Sequence, residues 1–369
     1  MKNKKESLLK NPSFQTLLAS FICIFLGLFI GFIVLLFINP SGAGEAILAI
    51  IKNFFKYPSA KAVMKYFGST LVKSAPLLMC SLSVLFAYKV GLFNIGAAGQ
   101  YVIGSGMALV FALNLNLPWY LCLLAGMLSG ALLGAISGIL KAYCNVNEVI
   151  SGIMLNWISL YLMNLMLVSA KEEASHYTKI IANTNPSALM PTLGLNKLFS
   201  NNQYVTIAIP LSIIAAIVIA VILEKTKFGY ELKATGFNKN AAKYCGMAEN
   251  KNTIVSLMIG GALAGMGGAM YYLCGYEQWS VTASSVPAMG FNGIVAAFLG
   301  GLSPIGSIFS SFFIQHITEG GAYVDKSMYC SQISDLISSI IIYLCGFVGF
   351  MKYVMDKKVK KDNKKEGEE

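Results

Sequence analysis

Long apolar stretches alternate with short polar connections along the whole chain. Eight windows reach the length of about 20 apolar residues that a helix needs to cross a bilayer core. They are 14–38, 70–88, 95–113, 118–141, 148–169, 203–223, 252–275 and 333–351. Two shorter windows, 289–301 and 304–319, are interrupted by glycine and proline. The pattern predicts an all-α polytopic membrane protein with about ten transmembrane helices.

The composition agrees with this interpretation. Of 369 residues, 56% are hydrophobic and 12% are charged, whereas a soluble domain carries about 25% charged residues. No polar linker separates two water-soluble cores, so we expect one transmembrane domain over 14–355. A short segment, 1–13, precedes it and a basic tail, 356–369, follows it. This composition argues against a water-soluble enzyme.

The lysines predict how the chain is oriented. All 28 basic residues are lysine. With ten spans both termini lie on one side, and that side receives nineteen of the lysines, against nine on the other. Positively charged loops stay in the cytoplasm, so both termini are predicted to be cytoplasmic. The net charge of +11 is then a sign of topology, and nucleic acid is not expected as a partner.

The same arrangement assigns the longer connections to a side. External loops are expected at about 40–69, where apolar residues near one face suggest a surface helix, and at 170–202. The longest internal cytoplasmic connection is 224–251, which carries six lysines.

Glycine spacing predicts close helix packing and a weak internal repeat. Four glycines recur every fourth residue from Gly126 to Gly138, and a second set occupies 260–268. Such stripes let two helix backbones approach closely. GLFNIGAAGQ at 91–100 also resembles GFNGIVAAFLGG at 290–301. Pairing spans 2–5 with spans 7–10 gives an inverted repeat, in which interrupted helices point to a transport site.

Polar side chains in or beside the apolar windows are the candidates for a translocation path. A charge in the membrane costs at least about 2.5–3.5 kcal/mol, so Glu148, Glu319 and Asp335 need a reason to be there. Glu148 opens a helix, and it is either a cap at the headgroup level or part of a polar path. Amides near the breaks suit a neutral, hydrogen-bonding solute such as a sugar or a nucleoside. The path candidates are Asn94, Gln100, Glu148, Asn156 and Asn292.

Cysteine and histidine give no sign of metal or redox chemistry. None of the eight cysteines forms a C-x-x-C pair, and His176 and His316 are far apart in the sequence. Cysteines within apolar windows are most often packing residues. We expect no metal and no cofactor.

Four segments together resemble a known family. They are FNIGAAGQ (93–100), NEVISGIMLNW (147–157), FGYELKATGFNKNAAKYCGM (228–247) and GFNGIVAAFLGGLSPIG (290–306). In this order they resemble the permease subunits of bacterial ABC importers of the branched-chain amino acid and simple-sugar type. The nucleoside subgroup, which works with Bmp-type lipoproteins, is the most similar. The resemblance covers about residues 68–350.

The resemblance implies a multi-pass protein of the bacterial plasma membrane with no ATPase site of its own. Its expected partners are a second, related permease, cytoplasmic ATPase subunits and an external substrate-binding lipoprotein. The chain contains no G-x-x-x-x-G-K-[ST] phosphate loop, in agreement with ATP hydrolysis by another subunit. The family's coupling helix before the seventh span falls on Gly236, Asn238, Ala241, Ala242 and Gly246.

Three positions depart from the family pattern. Ala98 and Asn292 stand where the family commonly has an acidic residue, and Lys233 stands where it usually has arginine. Lysine keeps the charge and loses bidentate pairing. These departures leave the exact solute open.

The expected function is that of the transmembrane subunit of an ATP-driven importer of nucleosides or related simple sugars. The alternative is an ion-coupled secondary transporter, for which Glu148, Glu319 and Asp335 are the candidates to bind the driving ion. A membrane-embedded enzyme is a weaker alternative, because no constellation of histidine or cysteine supports catalysis.

Overall fold

The computed structural model describes residues 12–325 without a gap. Beyond them it describes residues 327–329, 336, 339–340, 343–344, 346–354 and 357. The predicted segments 1–13, 333–351 and 356–369 therefore lie partly outside the described residues, and Asp335 lies outside them entirely.

The described part of the chain is helical, with two isolated β-bridges and no strand. Single-turn helices at Ile181–Thr184 and Leu195–Leu198 lie in the long connection 168–207 and are not numbered. The longer helices are α1 Pro12–Ile38, α2 Ala43–Lys52, α3 Ala60–Tyr88, α4 Ala97–Leu113, α5 Trp119–Cys144, α6 Glu148–Leu167, α7 Ala208–Lys225, α8 Lys227–Phe237, α9 Lys239–Tyr244, α10 Glu249–Leu273, α11 Met289–Leu299 and α12 Pro304–Gly321.

Six of these helices are long and apolar enough to cross a membrane: α1, α3, α5, α6, α7 and α10. Helices α4 and α11 are apolar and shorter, with 17 and 11 residues. The prediction of an all-α protein with many apolar spans is confirmed.

Two predicted loops contain helices. Helix α3 begins at Ala60, ten residues before the predicted span, so the external loop is largely helical. The connection at 224–251 folds into α8 and α9, because Thr226 and Asn238 cap them. The Thr226 hydroxyl accepts from the N–H of Gly229 at 3.1 Å, and the Asn238 carbonyl oxygen accepts from that of Ala241 at 3.0 Å. Such caps satisfy N–H groups that have no partner within the helix.

The helices define two ends of the bundle. One end carries residues 43–59 and 170–207, which are joined through the Phe67 ring, 5.2 Å from Phe54 and 5.8 Å from Phe199. The other end carries the connection from α3 to α4, together with α8 and α9. We name them the outer end and the inner end, following the orientation predicted from the lysines.

Helices α3 and α10 form the centre of the bundle. In its most apolar stretch, α3 has 89% of its residues buried and α10 has 67%, whereas α1 has 22%. The most apolar helix, α1, is thus the least buried, the reverse of a soluble protein. Lipid tails are as apolar as a leucine side chain. Burial of apolar area therefore contributes little free energy to the association of these helices. Close packing must hold them together.

Glycine provides that packing between α5 and α10. A methyl group on Gly130 would overlap the carbonyl oxygen of Gly261, and one on Gly134 would overlap that of Leu257. On the other helix, a methyl group on Gly265 would overlap the carbonyl oxygen of Gly126. The two predicted glycine stripes therefore face each other, and the prediction of close approach is confirmed.

This contact predicts the effect of a single methyl group. Gly130→Ala should lower the thermal stability of the purified protein in detergent, since overpacking costs about 1–3 kcal/mol. Gly44→Ala is the matched control, because nothing lies within 4 Å of the added carbon. That change should leave the melting temperature unchanged or raise it slightly. Equal melting temperatures for the two variants would contradict the packing described.

Candidate functional site

The connection from α3 to α4, residues 89–96, begins with a tight helix end. Gly91 has a φ of +77°, a conformation that favours glycine. The N–H of Gly91 donates to the carbonyl of Tyr88 at 3.0 Å, and that of Leu92 donates to Ala87 at 3.2 Å. This pair of bonds is a Schellman motif. This motif reverses the direction of the chain, so that the residues after Gly91 return into the bundle and Asn94 is buried.

Two amides hold this connection in place. The Asn94 amide nitrogen donates to the Ser83 hydroxyl at 3.0 Å and to the side-chain oxygen of Gln100 at 2.9 Å. The Gln100 amide returns a bond of 3.3 Å to the oxygen of Asn94. Asn94 and Gln100 are 3% and 0% exposed. A buried polar network that is fully satisfied fixes one arrangement, here between α3, the connection and α4.

A third amide reaches the same place from α6. The Asn156 side-chain oxygen accepts from the N–H of Gly99 at 2.7 Å, and its nitrogen donates to the carbonyl of Ile95 at 3.1 Å. Gly99 lies in the first turn of α4, where N–H groups have no partner within the helix. Asn156 thus caps α4 from another helix. A β-carbon on Gly99 would lie 2.7 Å from Asn156 Cα.

Helix α11 begins beside the same turn. A methyl group on Gly290 would overlap the backbone of Ala98, so the first turns of α4 and α11 touch. Asn292 follows within the first turns of α11 and is half-buried. Its amide makes no hydrogen bond within the part of the chain that the structure describes. The structure therefore brings Asn94, Gln100 and Asn156 together and places Asn292 on the neighbouring helix.

Glu148 lies apart from this amide cluster. It is the first residue of α6, and its carboxylate pairs with Lys141 at 2.8 Å. The preceding Asn147 caps the helix by accepting from the N–H of Val149 at 2.8 Å. Eight residues of helix, about 12 Å, separate Glu148 from Asn156. Its role in a path stays a prediction.

The carboxylate of Glu319 is also neutralised. Its oxygen lies 2.7 Å from the Lys73 ammonium and accepts from the Gln315 amide at 3.1 Å. The ammonium also lies 5.0 Å from the centre of the Tyr276 ring, a distance that permits a cation–π contact. Within the described ranges no group of three His, Cys, Asp or Glu side chains could hold a metal ion.

The residues predicted for coupling lie at the inner end and divide into two sets. Gly236 packs against the connection from α3 to α4, with a hypothetical β-carbon 2.9 Å from the carbonyl carbon of Val90. Ala242 is buried. Asn238, Ala241 and Gly246 are exposed. Gly236 and Ala242 thus face their own chain, and the other three remain open to a partner.

Exposed aromatic side chains accompany the coupling helices, and sequence reasoning missed them. Phe237 is 95% exposed and Tyr244 is 92% exposed. Two bulky rings in a connection rich in lysine were the signal available. Nearby, burial and the positive charge of Lys233 lower the pKa of Lys89, and Glu224 opposes the shift.

Sequence reasoning also missed Asn164, a buried amide of α6. Its oxygen accepts from the indole N–H of Trp279 at 2.9 Å, and its nitrogen donates to the carbonyl of Ala283 at 2.8 Å. The amide therefore attaches the non-helical segment 281–288 to α6. Its position inside an apolar window was the signal that could have found it.

Comparison with known proteins identifies the class. The profile of the family described as branched-chain amino acid transport system, permease component, matches residues 66–346. The chain therefore belongs to this family of ABC transporter permeases, which are multi-pass proteins of the plasma membrane.

Relatives with assigned names are similar over most of their length. The chain is 32% identical to the nucleoside ABC transporter permease protein NupB of Lactococcus lactis, covering 97% of this chain and 99% of NupB. It is 31% identical to the guanosine ABC transporter permease protein NupP of Bacillus subtilis, covering 94% and 97%. NupQ, a second guanosine permease protein of Bacillus subtilis, is 27% identical over 77% of this chain and 91% of its own length. No solved structure matches the chain.

The amide contacts predict different effects for two asparagines. Asn156→Leu leaves the Gly99 N–H and the Ile95 carbonyl unpaired, which costs about 1–3 kcal/mol for each group. It should lower both the melting temperature in detergent and solute uptake. Asn292→Leu removes no hydrogen bond, so it should leave the melting temperature unchanged and impair uptake alone. A lower melting temperature for Asn292→Leu, or an unchanged one for Asn156→Leu, would contradict these roles.

Proposed function

We propose that this chain is the transmembrane subunit of an ATP-driven importer of nucleosides, or of related simple sugars. The observation that carries the proposal is the near full-length similarity to NupB and NupP. The amide of Asn292 at the start of α11 supports it, because an uncharged polar group without a partner among the described residues suits a neutral, hydrogen-bonding solute.

The importer includes a second, related permease, cytoplasmic ATPase subunits and an external substrate-binding lipoprotein. Two different guanosine permease proteins of one organism resemble this chain, which supports a pair of related permeases over two copies of one chain. The translocation path then lies between the two permeases.

The chain crosses the membrane about ten times, with both termini in the cytoplasm. The six long apolar helices and the shorter α4 and α11 support this count. The inverted repeat is supported by one geometric feature. Both α4 and α11 begin after a non-helical segment, and their first turns touch at Ala98 and Gly290. Interrupted helices in matching positions are typical of transport sites.

Helices α8 and α9 couple the ATPase to the path. Gly236 at the end of α8 touches the connection from α3 to α4, and Asn94 and Asn156 attach that connection to α4. A displacement of α8 by the ATPase is therefore passed directly to the start of α4. Rigid-body movement of packed elements is a common way to transmit such a change. Asn94, Gln100 and Asn156 position the helices of the path.

The ion pairs argue against two of the three residues predicted to bind a driving ion in a secondary transporter. Glu148 is balanced by Lys141, and Glu319 is balanced by Lys73. A carboxylate that already has a lysine partner is a poor ligand for a driving ion, since binding would leave the ammonium unpaired.

Reconstitution separates the two mechanisms. We expect the chain, assembled in liposomes with its second permease, ATPase and lipoprotein, to take up labelled guanosine only when ATP is supplied to the ATPase side. An ATPase variant without its phosphate-loop lysine is the control. Dissipating proton and sodium gradients should leave uptake unchanged. Uptake driven by such a gradient without ATP would refute the importer and support a secondary transporter.

The exposed aromatic rings predict where the ATPase binds. Phe237→Asp and Tyr244→Asp should reduce co-purification of the ATPase by about ten-fold or more, because exposed aromatic residues are common binding hot spots. Membrane insertion should be unaffected, since neither ring is buried. Leu198→Asp is the control, an apolar residue that is 66% exposed at the outer end. Equal recovery of the ATPase from all three variants would show that the exposed rings of α8 and α9 are not the contact.

A further inference from the structure

The non-helical segment 281–288 descends from the outer end into the bundle. Just before it, Ser280 forms a β-bridge with Tyr177 of the outer connection. Within it, the carbonyl of Ala283 is held by Asn164. After it, Gly290 touches Ala98 at the start of α4. The ends of the segment therefore lie at two different depths.

Neighbouring helices give the size of this descent. The outer ends of α4 and α6 lie at one level, because the Asn114 amide donates to the Ser169 hydroxyl at 3.0 Å. Asn156 of α6 bonds Gly99 beside Ala98, so the start of α4 lies level with Asn156. Asn164 and Asn156 are eight residues apart on α6, about 12 Å at 1.5 Å per residue. The chain thus descends about 12 Å over the seven residues from Ala283 to Gly290.

Part of the backbone of this segment has no hydrogen-bond partner among the described residues. The N–H groups of Ser284, Ser285 and Val286 donate to no acceptor within the described ranges of the chain. The side chains of Thr282, Ser284 and Ser285 are exposed. In lipid each unpaired backbone group would cost several kcal/mol, so irregular backbone at this depth occurs only where it is covered by protein or lines a water-filled cavity.

We propose that residues 281–288 form one wall of the water-filled path, and that the hydroxyls of Thr282, Ser284 and Ser285 bind the sugar hydroxyls of the solute. The second half of this proposal rests on the proposed function as a nucleoside importer. A serine or threonine hydroxyl both donates and accepts, as a ribose hydroxyl does, and the free N–H groups add donors. Asn292, with its unbonded amide, continues this wall towards the inner end.

Thiol labelling tests the wall independently of transport. Ser284→Cys and Ser285→Cys are made in a chain with the exposed Cys144 and Cys245 replaced by serine. The complete complex in lipid nanodiscs is treated with a charged, membrane-impermeant methanethiosulfonate, and the labelling of the parent chain is subtracted. Leu165→Cys is the matched control, because it adjoins Asn164 at the same depth and is 72% exposed on an apolar surface.

Cysteines on a water-filled wall should react at least about ten-fold faster than the control, since only the hydrated thiolate is nucleophilic. If both cysteines react as slowly as Leu165→Cys, lipid or partner protein covers the segment and the proposal is refuted. Fast labelling in a complex that lacks ATP-driven nucleoside uptake would support the proposal that residues 281–288 line a water-filled path. It would refute only the proposed function as a nucleoside importer.

Uptake kinetics test whether the serine hydroxyls of this segment bind the solute. Ser284→Ala and Ser285→Ala together should raise the KM for nucleoside uptake by about three-fold to ten-fold, the loss of one or two hydrogen bonds, with little change in maximal rate. Saturating nucleoside should also slow the labelling of Ser284→Cys. Thr184→Val, which removes an exposed hydroxyl from the outer connection, is the control. An unchanged KM in the double variant would refute the contact with the solute.

Discussion

The close approach of α10 to its neighbours is the constraint on which the rest of the structure depends. This helix presents glycine in three directions: Gly261 and Gly265 meet α5, Gly268 meets α4, and Gly267 meets α3. Since lipid solvates apolar side chains as well as protein does, contact between backbones must supply the attraction. Placing α10 in the centre sets where α3 and α4 can lie, and so sets where the chain turns between them.

The breaks in the helices are stabilised by amides instead of charges. Inside a membrane every free backbone group needs a partner. Asn156 and Asn164 bond backbone groups at two such places, and Asn94 bonds the Ser83 and Gln100 side chains at a third. Each asparagine both donates and accepts, so one neutral side chain can bond an N–H group and a carbonyl. This chemistry lets the chain keep irregular segments within the bundle without burying an ion, in agreement with the proposed path for a neutral solute.

The four sequence segments that resemble the permease family meet in space around the start of α4. Asn156 caps that turn, Gly290 touches it, and Gly236 touches the connection that precedes it. The segment proposed to bind the ATPase and the segment proposed to bind the solute are therefore joined by a few direct contacts. A small displacement at the inner end cannot be absorbed by flexible loops, because close-packed backbones transmit it.

The class of protein could be predicted from the sequence, because the apolar windows, the glycine spacing and the four family-like segments are all local patterns. The sequence also singled out Asn94, Gln100 and Asn156 as unusual in their windows. Three facts needed the folded structure. Asn94 and Gln100 bond each other while Asn156 bonds the backbone of α4, Lys141 and Lys73 neutralise Glu148 and Glu319, and residues 281–288 descend through the bundle. Most of those contacts join residues far apart in sequence, and the pairing of Lys141 with Glu148 depends on how the chain turns between α5 and α6, so no local pattern records them.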